Sequence, residues 1–135
     1  SSGSSISKLS WTTDNSQLAF SIFNLNNSSN GLTSSYSILV NGNDLSLMNP
    51  NSIWNDYVPT YSPDGKSIAF ISDRSGRNEI WILNMQEQTL FQASSSDDCF
   101  ISGEGGTLQW SADSKIIFFN GYKKLNYSVL HIDLY

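Results

Sequence analysis

The sequence predicts an all-β chain built from three copies of one antiparallel unit. A short motif recurs as an aromatic residue, two small residues, an Asp and a turn former, at 11–15, 61–65 and 110–114. The motifs start 50 and 49 residues apart, and an apolar run follows each of them. No stretch of about 11 or more residues has helical periodicity. Because a fixed period indicates one structural unit that stacks on itself, we expect three similar sheets.

The turn is clearest in the middle copy, where Pro-Asp-Gly occupies 63–65. Pro presets φ, Asp can bond its own backbone, and Gly accepts a positive φ, so this triplet joins two antiparallel strands. The spacing is also kept at the end of the expected third strand, since Asn84 and Asp133 each lie 23 residues after the motif aromatic of their copy. The first copy has seven extra residues before its counterpart, Asn41.

Short β-branched and aromatic runs predict the remaining strands. Second strands are expected at 17–22, 67–72 and 116–119, third strands at 79–83 and 128–132, and fourth strands at 45–48 and 89–92. Four strands in about 40–50 residues are typical of one blade of a β-propeller. The third blade is expected to lack its outer strand. We therefore predict a partial β-propeller with blades at about 6–49, 57–94 and 106–135.

The middle copy carries a longer motif over 58–84. This stretch resembles the TolB-type β-propeller repeat, whose pattern is aromatic-Ser-Pro-Asp-Gly, an apolar strand, Ser-Asp-Arg with Gly, and an Ile-aromatic strand. The first and third copies match the turn and the strands. In place of the Ser-Asp-Arg box they have 21–24 and 120–123.

The resemblance implies a propeller that binds envelope proteins in the bacterial periplasm. Similar repeats also precede the catalytic domain of prolyl-oligopeptidase-type peptidases and build some polysaccharide lyases. We expect a non-enzymatic protein-binding or scaffolding module. The alternative is the substrate-gating propeller part of a peptidase or of a polysaccharide-active enzyme. A surface rich in Ser and Asn and poor in Lys agrees with an extracytoplasmic location, periplasmic or secreted.

Propellers close into rings of about 4–8 blades, and this chain supplies fewer than three complete ones. Its end blades are therefore expected to expose apolar faces and strand edges, which isolated monomers avoid. Three explanations remain open. The chain is part of a longer propeller protein, or two copies associate head to tail as a homodimer with six blades, or a different chain completes the ring. Two copies would form two identical contacts that close with twofold symmetry.

Composition argues against two classes of partner. Only 14% of the 135 residues are charged, and the net charge is −5. Nucleic-acid binding needs clustered cations, so no nucleic-acid partner is expected. The sequence contains no run of about 18 apolar residues, so no membrane insertion is expected.

The sequence contains no recognisable catalytic constellation. It has no Gly-x-Ser-x-Gly elbow of the serine hydrolases. With one Cys (Cys99) and one His (His131), neither an internal disulfide nor a Cys/His metal site can form within one chain. The adjacent Asp97 and Asp98 are expected to lie in a solvated acidic loop. We therefore predict no catalytic residue, no metal and no cofactor.

The candidate binding residues are aromatic and basic. Trp54 and Tyr57 lie in the segment that enters the second blade, and in propellers such segments reach one mouth of the central channel. Arg74 and Arg77 follow the second strand of that blade, where they could hold an anionic partner. In the alternative reading, Asp73 and Arg74 tie this loop to its neighbour. Other aromatics expected at the surface are Phe100, Tyr122 and Tyr127.

Overall fold

The chain folds into three antiparallel β-sheets that follow one another along the sequence. The computed structural model describes residues 4–24, 33–39, 41–48, 52–95, 99–103, 105–123 and 126–134. Regular structure in these ranges consists of strands, and no helix there is long and apolar enough to cross a membrane. The predicted all-β fold of three four-stranded antiparallel blades is confirmed.

The strands are numbered in chain order. Sheet 1 contains β1 (Ser4–Trp11), β2 (Gln17–Asn24), β3 (Thr33–Leu39) and β4 (Ser46–Leu47). Sheet 2 contains β5 (Asp56–Tyr61), β6 (Ser67–Ser72), β7 (Glu79–Asn84) and β8 (Thr89–Gln92). Sheet 3 contains β9 (Cys99–Ile101), β10 (Leu108–Trp110), β11 (Ile116–Lys123) and β12 (Asn126–Asp133). In sheets 1 and 2 each strand pairs with the next in the sequence.

Sheet 3 has a divided first strand. β9 pairs with residues 121–123 of β11, and β10 pairs with residues 117–119 on the same edge. β12 pairs along the other edge of β11. Because β9 and β10 together occupy the place of one first strand, the sheet includes Cys99–Ile101, upstream of the boundary near 106 indicated by the repeat.

The first strand of every sheet is interrupted at the same place. The register shifts once within β1 and once within β5. Lys8 and Val58 lie at these bulges with φ angles of 35° and 53°. Such angles cost about 1–3 kcal/mol for residues other than glycine and persist only where the surroundings impose them. In sheet 3 the interruption has become the segment 102–107, which separates β9 from β10.

The turn that follows each first strand is built in one way. In sheet 2 the Ser62 hydroxyl donates to Asp64 Oδ1 at 2.6 Å, and the Lys66 N–H donates to the same oxygen at 3.0 Å. These hydrogen bonds stabilise the carboxylate and lower the pKa of Asp64. Asp14 and Asp113 have the same surroundings, and their pKa values are also lowered. The pKa of Asp14 falls to about 2, chiefly because neighbouring hydroxyls donate to it.

The turns of neighbouring sheets are joined to each other. The Thr13 hydroxyl donates to the Pro63 carbonyl at 3.0 Å, which links sheet 1 to sheet 2. The Asp64 N–H donates to Ser114 Oγ at 3.1 Å, which links sheet 2 to sheet 3. The three sheets therefore follow one another at one end in a continuous row of turns.

Sheets 2 and 3 meet through large apolar side chains. Sheet 2 contributes Ile71 and Ile80, both 0% exposed. Sheet 3 contributes Ile117, also 0% exposed, and the rings of Trp110 and Phe119. Both faces are apolar because each sheet is covered by the other. This contact is called seam 2–3 below.

Sheets 1 and 2 meet through a contact of a different composition, called seam 1–2 below. On this side sheet 1 presents Ala19, Ser21 and Ser35, all buried. Sheet 2 presents the larger Ile68 and Phe70. A crevice of about 200 Å³ remains between the two sheets, with Ser35 and Met48 on the side of sheet 1 and Ile68 and Phe70 on the side of sheet 2.

Candidate interaction surfaces

The rim of sheet 2 carries the predicted binding residues. This rim is the end of the sheet at which β5 begins and the β6–β7 loop lies. The Asn55 N–H donates to Asp73 Oδ1 at 2.9 Å, and the Asn55 amide donates to Asp73 Oδ2 at 2.7 Å. The Asn78 amide donates to the Ile101 carbonyl at 3.1 Å. The rim is therefore a fixed surface in which the segment before β5, the β6–β7 loop and β9 are joined.

Arg74 lies inside the molecule. Its Nη2 is 2.7 Å from Asp56 Oδ1, and the two side chains are only 9% and 3% exposed. Its Nε–H donates to Ser72 Oγ at 3.0 Å. The guanidinium carbon lies 5.0 Å and 5.1 Å from the ring centroids of Phe70 and Trp81, within the range of a cation–π contact. Arg74 thus has an internal anionic partner at seam 1–2.

Arg77 lies on the same loop but is half exposed. Its Nε is 2.8 Å from Glu79 Oε1, and the side chains are 49% and 1% exposed. The Ser94 hydroxyl donates to the other oxygen of Glu79. The buried carboxylate is therefore bonded on both oxygens and holds the Arg77 guanidinium at the rim.

Trp54 and Tyr57 have different surroundings although both enter sheet 2. Trp54 is 43% exposed and follows Ile53, which is 70% exposed. Tyr57 packs at the edge of the core of seam 2–3. A Cβ at Gly103 would lie 2.7 Å from the Tyr57 ring, so only glycine allows this approach. Tyr57 therefore supports the 102–107 segment, and Trp54 faces solvent.

The structure brings two of the four predicted residues to one surface. Trp54 and Arg77 are exposed at the rim. Arg74 and Tyr57 lie beneath them, in seam 1–2 and against Gly103 respectively. The exposed Ile53 is the rim residue that sequence reasoning missed, because nothing in its neighbourhood distinguishes it from a core isoleucine.

The first strands of the three sheets together line an open groove of about 620 Å³. Its polar walls include Ser10, Thr60 and Gln109, one from each sheet. Lys8 crosses the groove, and its ammonium group donates to the Gly106 carbonyl. Burial lowers the pKa of Lys8 because it disfavours the charged form.

Each sheet has one face that turns toward the preceding sheet, called the leading face, and an opposite trailing face. The leading faces share a triad that consists of the motif aromatic and two apolar residues of the second strand. In sheet 2 the triad is Tyr61, Ile68 and Phe70, and in sheet 3 it is Trp110, Ile117 and Phe119; all six are 8% exposed or less. In sheet 1 it is Trp11, Leu18 and Phe20.

The leading face of sheet 1 is exposed. Trp11 is 50% exposed where Tyr61 and Trp110 are 8% and 5% exposed. Phe20 is covered by its own sheet, because it stacks on Tyr36 with ring centroids 6.0 Å apart. Apolar side chains that continue the face and remain exposed are Ile6 and Leu47, at 64% and 40%.

The trailing face of sheet 3 is exposed in the same way. Alternation along the strands and the β11 register place Phe100, Phe118, Tyr122, Val129 and His131 on this face. Phe100 and Val129 are 78% and 75% exposed. The His131 ring tilts against Phe118, with centroids 6.2 Å apart. The exposed apolar faces expected at both ends of the stack are thus present, while the side chain of Tyr127 lies outside the described residues.

The described residues contain no group of three His, Cys, Asp or Glu side chains placed to hold a metal ion. Asp97, Asp98 and the side chain of Cys99 lie outside this description. His131 is on a strand, 3.9 Å from Asp133 and mostly exposed.

No protein-family model and no curated protein matches the sequence. Solved structures do match. The putative TolB from Agrobacterium tumefaciens has a TM-score of 0.74 and 18% identity, over 93% of this chain and 45% of that one. The β-propeller domain of the Trilobed protease from Pyrococcus furiosus has a TM-score of 0.69 and 18% identity, over 97% of this chain and 40% of that one. Oligogalacturonate lyase in complex with manganese has a TM-score of 0.69 and 15% identity, over 100% of this chain and 36% of that one.

These similarities show the fold. The chain has a TolB-like β-propeller architecture, and its three sheets form a partial propeller. It spans less than half the length of these three proteins. TolB proteins, a protease domain and a lyase share this fold, so function has to be argued from the surfaces.

Proposed function

We propose that this chain is a non-enzymatic protein-binding or scaffolding module of the TolB-like propeller type, completed by further blades or by a second copy. The observation that carries the proposal is the leading face of sheet 1. It repeats the triad that sheets 2 and 3 use to pack on a preceding sheet, yet Trp11 is 50% exposed. A face built for sheet-on-sheet packing can thereby receive a further β-sheet, from additional blades, a second copy or a partner protein.

The energetics favour occupation of this face. Complete burial of an Ile or Leu side chain contributes roughly 1.5–3 kcal/mol to the free energy of association. Ile6 and Leu47 are 64% and 40% exposed, so a partner that covers this face would gain part of that energy from each of them. Contiguous apolar patches of this kind mark interaction sites in soluble proteins. The described strand residues of this face include no charged side chain, so docking incurs little cost of charge desolvation.

The rim of sheet 2 is a second contact surface in this proposal. Trp54 and Arg77 would touch the protein partner, since Trp and Arg are enriched where protein contacts contribute most. Tyr57 and Arg74 would act as positioning residues, because Tyr57 packs against Gly103 and Arg74 ties the β6–β7 loop to the start of β5. The TolB-like repeat and the lysine-poor surface support an extracytoplasmic location, which fractionation of cells that express the natural gene would check.

The test places a photo-crosslinking amino acid at position 11 in cells that make the protein. Mass spectrometry of the crosslinked product then identifies the polypeptide that covers the face. We expect one protein, crosslinked through a β-sheet segment, and that protein is either this chain or another. Position 43 is the matched control, since Asn43 is exposed on sheet 1 in the β3–β4 turn. If position 11 crosslinks no more than position 43, the proposal fails.

The enzymatic alternative has its own assay. The purified protein is incubated with chromogenic peptides and with polygalacturonate, and we expect no turnover of either. Turnover that survives repurification and disappears in a rim variant would favour the peptidase or polysaccharide-active reading.

A further inference from the structure

We infer that the leading face of sheet 1 receives the trailing face of sheet 3 from a second copy of this chain. This inference rests on the proposed function and names the occupant of the same face. The two faces lie at opposite ends of one stack of three sheets. A contact between them would repeat the relation that already joins sheet 1 to sheet 2 and sheet 2 to sheet 3.

The two seams show how the new contact is built. At seam 2–3 the Trp110 Nε1–H donates to the Thr60 carbonyl at 3.0 Å. At seam 1–2 the Tyr61 N–H donates to Ser10 Oγ at 3.1 Å. In both cases the motif aromatic of one sheet bonds the first strand of the preceding sheet at one equivalent position. The register places Gln109 at that position in sheet 3, because Gln109 pairs with Phe118 as Thr60 pairs with Ala69.

The new seam therefore sets Trp11 of one copy against Gln109 of a second copy. Phe118 and Val129 supply the apolar surface around it, and they are 39% and 75% exposed. Phe118 replaces the alanine found at this place in sheets 1 and 2, Ala19 and Ala69. In the new seam the Phe118 ring of one copy would cover the half-exposed Trp11 indole of the other.

The low charge of both faces is compatible with this occupant, and the two faces are different surfaces of one chain. The described strand residues of the sheet 1 face are uncharged, and Asp133, 66% exposed, is the only acidic residue on the described part of the sheet 3 face. Two different faces on one chain give a heterologous contact, and two such contacts close a ring with a twofold axis if the three sheets of one chain turn through half a circle. With three sheets from each copy, the ring then contains six sheets.

The experiment measures the solution mass of the purified chain across a dilution series by light scattering. We expect about twice the 15.0 kDa of one chain. Trp11→Asp places a charge on the leading face of sheet 1 only, and Val129→Asp places a charge on the trailing face of sheet 3 only. Both side chains are at least half exposed, so each variant keeps its fold, which circular dichroism verifies. We expect each variant alone to be a monomer and Asn43→Asp to behave as the unchanged chain.

Mixing the two variants is the decisive step. The mixture still contains one intact pair of faces, the leading face of the Val129→Asp copy and the trailing face of the Trp11→Asp copy. We therefore expect the mixture to recover the mass of two chains. An unchanged chain that stays monomeric, or forms aggregates of no fixed mass, overturns the inference. So does a Val129→Asp variant that remains a dimer, because the contact would then join two leading faces.

These outcomes separate the inference from the proposed function. If position 11 crosslinks to a different polypeptide while this chain stays monomeric, the face binds protein and the second copy is the wrong occupant. If position 11 crosslinks nothing above the control, both fail.

Discussion

Sheets 2 and 3 meet through branched aliphatic and aromatic side chains from both sides, whereas at seam 1–2 small side chains of sheet 1, serines and an alanine, pack on Ile68 and Phe70 beside an ion pair that lies within sheet 2. The contrast is plain at one equivalent position. Ile71 in sheet 2 packs into seam 2–3, and Ser21 in sheet 1 accepts a hydrogen bond from the Val58 N–H at 2.9 Å across seam 1–2. Both side chains are fully buried.

The comparison teaches that neighbouring sheets of one backbone repeat can pack on each other through two different sets of contacts. Seam 2–3 depends chiefly on buried apolar area and on the fit between the side chains of the two sheets. Seam 1–2 combines an apolar cluster with buried hydrogen bonds of fixed geometry from Ser21 and Ser35, and a crevice of about 200 Å³ remains beside them. Buried polar contacts are costly to leave half satisfied. Single substitutions should therefore affect the two seams for different reasons.

The largest effect is expected at the ion pair of seam 1–2. Arg74→Met removes the cation and leaves the Asp56 carboxylate buried without its partner, which costs roughly 3–5 kcal/mol. Urea unfolding of the unchanged chain and the variant measures this loss. The double variant with Asp56→Leu should regain most of the stability, because neither charge then remains buried. If the double variant is no better than the single one, the ion pair is not the reason for the loss.

The next effect is expected in seam 2–3. Ile71→Ala removes a fully buried side chain from the apolar cluster and leaves a cavity, at a cost of about 2–5 kcal/mol. Ile71→Val is the matched control and should cost about 0.5–1.5 kcal/mol. Thermal unfolding followed by circular dichroism gives both values. Equal losses for the two variants would contradict the packing that distinguishes this seam.

A smaller effect is expected where seam 1–2 relies on a hydroxyl. Ser21→Ala leaves the Val58 N–H buried without an acceptor, at a cost of about 1–3 kcal/mol. Ser21→Thr keeps the acceptor and should retain most of the stability. Amide hydrogen exchange at Val58 provides a local readout, and exchange there should rise in the alanine variant only.

The smallest effect is expected at the turn carboxylates, one of which lies in the turn after the first strand of each sheet. The folded-state pKa values of Asp14, Asp64 and Asp113 lie below the ordinary 3.8. Their contribution is therefore present above about pH 4 and is lost as the pH falls toward 2. The melting temperature should decline over this window, and less steeply when the three residues are replaced by Asn. A decline of equal slope in both proteins would assign the acid sensitivity elsewhere.

Local chemistry made the sheets predictable. The Pro-Asp-Gly turn at 63–65 and the apolar run after it are sufficient to place β6, and the run expected at 67–72 coincides with Ser67–Ser72. Turn residues and alternation act over short distances, so the sequence displays them directly. The repeat then extended the same prediction to the other two sheets.

Tertiary contacts account for what the sequence did not reveal. Val58 is β-branched and disfavours positive φ, yet its φ is 53° at the bulge of β5, where Ser21, 37 residues earlier, accepts a hydrogen bond from its N–H. Arg74 and Arg77 look alike in the sequence, but Asp56 buries the first and Glu79 holds the second at the surface. Arg74 is buried by a residue 18 positions earlier on the neighbouring strand, whereas Arg77 pairs with a residue two positions later, and the sequence does not display the first of these contacts.

The point at which each first strand is interrupted can accommodate inserted residues. From Tyr57 to Thr60 the chain takes three residues to match two residues of its partner strand, whereas from Ile101 to Leu108 it takes seven to match the same two. Four extra residues have entered without disturbing the pairing on either side. Sequence of varied length can therefore be grafted at this point, directly beside the groove, and new recognition chemistry can be acquired there while the sheets remain unchanged.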